Sequence, residues 1–142
     1  MERQHWTLLA LCAAKGRTLS PVQLQKSLFL LGEMLPDAVG QAFYKFQPYH
    51  YGPFAAEIYS DAEQLAREGL VLIAPTPQGW SQYSATSTGT VQGEELKHKP
   101  SPEAREYLDK VVPWVQSQSF SELVRVVYQN FPDYRKHSIF ED

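Results

Sequence analysis

The chain has 142 residues, 43% hydrophobic and 20% charged, which sets the expectation of one domain with a core of its own. Thirteen Lys and Arg against sixteen Asp and Glu give a net charge of −3 and exclude a strongly basic nucleic-acid binder. A lone cysteine, Cys12, excludes a disulfide framework and a cysteine-only zinc cage, and points to a reducing compartment.

In chain order, Trp6, Leu9 and Ala13 recur at helical spacing and predict a first helix over 4–14, with Gly16 as its stop. Ser20-Pro21 is a helix start: a capping hydroxyl followed by a proline whose missing N–H is no loss. The stripe Leu24, Leu28, Leu31 and Leu35 carries this second helix over 21–35, and Pro36 ends it. Asp37 to Ala42 reads as loop, and Phe43 to Tyr51 as an extended segment interrupted by Pro48. Gly52-Pro53 predicts a third helix over 53–68, with Phe54, Ile58, Ala62 and Leu65 as its apolar face and Gly69 as its cap.

Leu70 to Ala74 and Trp80 to Thr86 predict a β-hairpin around Pro75 to Gly79. Ser87 to Ser101 has no periodicity and reads as loop. Pro102 to Gln116 carries a one-face stripe, with Pro113 predicting a kink or an early end. Ser119 and Glu122 have capping-box spacing and open a last helix that stops before Pro132. Tyr134, Ile139 and Phe140 predict a tail that docks on the core. The expected fold is mainly α with a small β-hairpin. Residues 1–88 form a winged helix-turn-helix domain, and 89–142 a helical extension packed on the core or used for dimerisation.

Two motifs carry a resemblance. Tyr51-Gly-Pro-Phe54, then Ile58-Tyr59, Asp61 and Leu65-Ala-Arg-Glu-Gly-Leu-Val71, resembles the winged-helix halves of small prokaryotic regulators. More narrowly, Gln25-Lys26-Ser27-Leu28-Phe29 with Tyr51-Gly-Pro53 resembles the Panacea domain of SocA-like antitoxins. The resemblance covers roughly residues 20–71 and implies an antitoxin that neutralises a partner toxin by binding it.

Charge weighs against the obvious DNA reading. The third helix would enter the major groove, yet it carries Glu57, Asp61, Glu63 and Glu68 against Arg67 alone. Such a helix repels phosphate. It reads either as a solvated acidic face or as a surface for protein, with acceptance from cytosine as the remaining alternative. Six aromatics fall within Phe43–Phe54; they cover the core, present an interface or, with Lys45 and His50, stack nucleobases. The partner-contact candidates are therefore Glu57, Asp61, Tyr49, Tyr51 and Trp80. Arg17, Lys26, Lys45 and His50 are the nucleic-acid candidates should their charges converge.

The four histidines are scattered, no phosphate loop is present, and Cys12 lies on an apolar face. The expectation is a non-enzyme without cofactor or metal that binds a protein partner. The alternative is a homodimeric regulator of double-stranded DNA. No apolar run approaches the ~20 residues of a membrane span. The first residues lack signal-peptide order, so the expected location is cytoplasmic and no membrane partner is expected.

Overall fold

A computed structural model describes residues 1–141. It is mainly helical, with two small antiparallel two-stranded sheets. Helices α1 (Arg3–Ala13) and α2 (Pro21–Met34) pack on each other, and a short α3 (Pro36–Val39) follows. Strands β1 (Gln47–Tyr49) and β2 (Gly52–Phe54) form a tight hairpin, then comes α4 (Glu57–Arg67). Strands β3 (Val71–Pro75) and β4 (Ser81–Ala85) form a second hairpin in the register Val71 opposite Ala85. Helices α5 (Ser87–Leu96), α6 (Pro102–Ser117) and α7 (Phe120–Asn130) complete the order, ending in a 3-10 turn at Pro132–Arg135.

Local chemistry sets most of the helix ends. Ser20 accepts from the Gln23 N–H at 3.2 Å while Gln23 accepts from the Ser20 N–H at 2.9 Å. Ser119 and Glu122 make the same reciprocal pair at 3.1 and 3.2 Å. Gly69, at φ +80°, closes α4 with two bonds, its own N–H to the Ala66 carbonyl and the Leu70 N–H to the Leu65 carbonyl. That is a Schellman end, which needs a left-handed residue.

One buried cluster joins the N-terminal helices to the C-terminal ones. Leu8, Leu24, Leu28 and Ile58 share it with Val112, Val115 and Leu123. The helical extension after residue 88 therefore packs on the core. Leu19 exchanges backbone hydrogen bonds with Tyr83 at 2.8 and 2.9 Å, so the α1–α2 connection is sewn to β4.

Four expectations are corrected. Gly52-Pro53 does not open a helix: Pro53 faces Pro48 across the β1–β2 hairpin, and α4 starts only at Glu57. The loop after Pro36 contains α3, because Pro36 itself takes the first helical position. The stretch after Ser87 is helical to Leu96, with Thr86 accepting from the Gly89 N–H at 2.9 Å as its cap. Finally, Pro113 does not end α6 early: the helix runs through it to Ser117. The carbonyl that loses its partner there belongs to Asp109, an exposed residue of the helix. Among the described residues no helix is long and apolar enough to cross a membrane.

Candidate functional site

The aromatic run divides into a buried half and an exposed half. Phe43 packs edge-on against Trp6 and Tyr44, and Phe46 against Phe29, so these three serve the core. The second half stands at the tip of the β1–β2 hairpin, where Tyr49 and Tyr51 are 49% and 40% exposed. Tyr49 stacks on His50 and on Phe54, at 4.2 and 5.0 Å between centroids. Tyr51 meets Phe120 of α7 edge-on at 5.1 Å, and Phe120 is 45% exposed. The hairpin tip and the start of α7 thus form one partly wet aromatic surface. Phe120 was not legible as a member, because only the fold brings α7 to the hairpin.

What fixes this surface lies in α2. Gln25 and Lys26 are both 2% exposed and both reach the backbone that follows the hairpin turn. The Gln25 amide binds Ala55 twice, and Lys26 Nζ donates to the Pro53 carbonyl at 3.2 Å. Gly52 passes directly over this lysine at φ +107°, and a Cβ there would lie 3.3 Å from Lys26 Nζ. Burial pushes the Lys26 ammonium down to about 7, since no carboxylate offsets its desolvation. The residues Gln25-Lys26 and Tyr51-Gly-Pro53, linked above only by resemblance, form a single clamp.

The acidic candidates on α4 separate. Glu57 is exposed at the first position of α4. Asp61 is engaged inside the molecule: Arg3 grips both its oxygens at 2.9 and 3.1 Å, and the Tyr44 hydroxyl donates to it at 2.6 Å. Thr7 completes the chain at 2.7 Å from that hydroxyl. Glu63 and Glu68 are exposed. Trp80 is 48% exposed at the end of the turn of the second hairpin.

The basic candidates do not converge. Lys26 is buried, so it offers no charge to a phosphate. Lys45 lies exposed with its ammonium on the Gln41 carbonyl at 3.0 Å. Arg17 is exposed on the α1–α2 connection, and His50 is exposed at the hairpin tip.

Two concavities complete the surface. A cleft of about 750 Å³ lies between α1, α5 and α6, with Cys12, Glu94, Lys97, Arg105 and Asp109 on its walls. Burial raises the Cys12 thiol to about 11, so it stays protonated and unreactive near neutrality. A smaller groove of about 490 Å³ lies between α2, α6 and α7, lined by Met34, Val111, Trp114 and Phe131. Among the described residues no group of three His, Cys, Asp or Glu could hold a metal ion.

No family model matches the chain, and neither does any curated protein.

Proposed function

We propose that the chain is a non-catalytic winged-helix regulatory module that binds a basic segment of a partner protein, in the manner of an antitoxin or adaptor. The observation that carries this reading is the shared exposure of Tyr49, Tyr51 and Phe120 on a chain whose α4 also carries exposed carboxylates. Tyrosine and phenylalanine in a wet cluster are typical interface anchors. Exposed carboxylates at Glu57, Glu63 and Glu68 favour a cationic partner and disfavour a phosphate backbone. The winged-helix plan is supported by the order of α1, α2 and α4 before the β3–β4 hairpin, and by the Leu19–Tyr83 pairing that joins them.

The second reading is a dimeric regulator of double-stranded DNA. It draws on exposed Arg17 beside the segment that pairs with β4.

One paired measurement separates the two. Stoichiometric capture of a protein that is lost in Tyr51→Ser and kept in Lys110→Ser supports the first reading. Tight duplex binding at ~50 mM salt, with no such capture, overturns it.

A further inference from the structure

We propose that residues 136–141 are a detachable strap whose Phe140 seats against Phe120 and Tyr128, so that this aromatic seat exists in a covered and an uncovered form. Its consequence for binding rests on the partner-binding reading; the strap itself does not.

The anchoring of the chain changes abruptly at Arg135. Before it, Phe131 and Tyr134 meet Phe29 edge-on at 5.0 and 4.9 Å, and Phe29 is 1% exposed. Those rings belong to the core. After it, apart from the local Ser138–Arg135 turn, one backbone hydrogen bond ties the described residues of the segment to the rest, from the Ile139 N–H to the His50 carbonyl at 3.0 Å. One side chain docks: Phe140 lies 6.2 Å from Phe120 and 6.3 Å from Tyr128, edge-on to both. Lys136, His137 and Glu141 are exposed, and Ile139 is 58% exposed.

Lifting the segment strands no buried polar group. The His50 carbonyl keeps the Tyr128 hydroxyl at 3.5 Å and faces water. The Phe140 N–H to Ser138 Oγ bond travels with the segment, and the Ser138 N–H to Arg135 carbonyl bond is a local turn at its hinge. A lone hydrogen bond open to solvent holds weakly. Tyr128, 3% exposed, is covered jointly: the Arg135 guanidinium lies 5.3 Å over its ring, Gly52 passes close to it, and the strap adds the edge of Phe140. The vacated seat, walled by Phe120 and Tyr128, fits an aromatic side chain of a partner in place of Phe140.

The test uses the full chain with no partner present. Amide exchange read by NMR should place Ile139 within about tenfold of an unstructured amide, while Val127 exchanges at least about a thousandfold more slowly. Phe140→Ala and Ile139→Pro, the latter lacking the donor N–H, should each raise the fluorescence of a hydrophobic dye several-fold, with an unchanged melting midpoint. Ile139 protected like Val127, unchanged dye binding in both variants, or a lowered midpoint in both would overturn the strap. Because no partner enters the experiment, its failure removes the strap alone. Failure to capture a protein removes the partner reading alone.

Discussion

Gln25 holds both backbone groups of Ala55: its amide donates to the Ala55 carbonyl and accepts from the Ala55 N–H, each at 2.9 Å. Both residues are 2% exposed, so water does not compete for either bond while the Gln25 side chain is in place. Gln25→Ala strands two buried polar groups at about 1–3 kcal/mol each. Partial entry of water offsets some of that, and the expected loss is about 2–4 kcal/mol in urea unfolding. Gln25→Glu should cost as much, because a carboxylate cannot donate to the carbonyl. A loss below about 1 kcal/mol would show that the hairpin does not depend on this clamp.

Lys26 makes stability depend on pH in a direction of its own. The folded ammonium gives up its proton near 7, whereas the unfolded side chain keeps it to the ordinary 10.5. Between those values the unfolded chain binds one proton more, so stability rises with pH, by at most about 1.4 kcal/mol per unit. Below pH 7 this cost is fully present, and above 10.5 it is gone. Tyr44 and Tyr59, both raised mainly by burial, act oppositely above pH 10, where the unfolded phenols ionise first. Cys12, raised from 9.0 to about 11 by burial, also acts oppositely from about pH 9, so urea midpoints measured between pH 7 and about 8.5 isolate the lysine. The wild type should gain stability over Lys26→Met across that window. Parallel curves would sink the assignment.

Wherever a signal was local, the sequence carried it. The Ser20–Gln23 and Ser119–Glu122 boxes and the Gly69 end need only neighbours within one turn. Pro53 misled because a proline after glycine suits a helix start. In the fold, Gln25 satisfies the Ala55 backbone from outside, so the chain has no need of helical bonds there. The exposed tyrosines were legible as an unusual cluster, but which half would be wet depended on Trp6 and Phe29 claiming the other half. Asp61 as a buried network member was invisible, since Arg3 stands 58 residues away.

Helix α5 was missed because it docks through absence of side chains. A Cβ on Gly89 would lie 1.9 Å from the Leu70 carbonyl oxygen, and one on Gly93 would lie 2.5 Å from Cys12 Sγ. No apolar stripe is needed when helix backbone meets neighbour at that distance, although the Gly89-x-x-x-Gly93 spacing was there to be seen. Gly89→Ala forces backbone apart and should destabilise by about 2 kcal/mol or more. Gly93→Ala meets only a sulfur. Cys12→Ala should therefore recover most of the Gly93→Ala loss and none of the Gly89→Ala loss. Equal rescue of both in a double-mutant cycle would refute this geometry.

Glu57 and Asp61 were equivalent candidates on one acidic helix, and the fold gives them opposite work. Asp61 accepts from Arg3 and from Tyr44, with its side chain 14% exposed. The Arg3 side chain is 38% exposed, so solvent screens most of that ion pair. The cost of Asp61→Ala then falls on the Tyr44 bond, which is short at 2.6 Å and charge-assisted. Tyr44 keeps Thr7 as a partner, which limits the loss to about 1–3 kcal/mol. Glu57 is exposed with no such partner to lose, and Glu57→Ala should leave stability within about 0.5 kcal/mol. If Glu57 instead serves a cationic partner, its removal should slow association and flatten the salt dependence of binding. Urea midpoints of the two variants, set beside their association rates, distinguish a structural acid from a recognition acid. A Glu57→Ala variant as unstable as Asp61→Ala would erase the distinction.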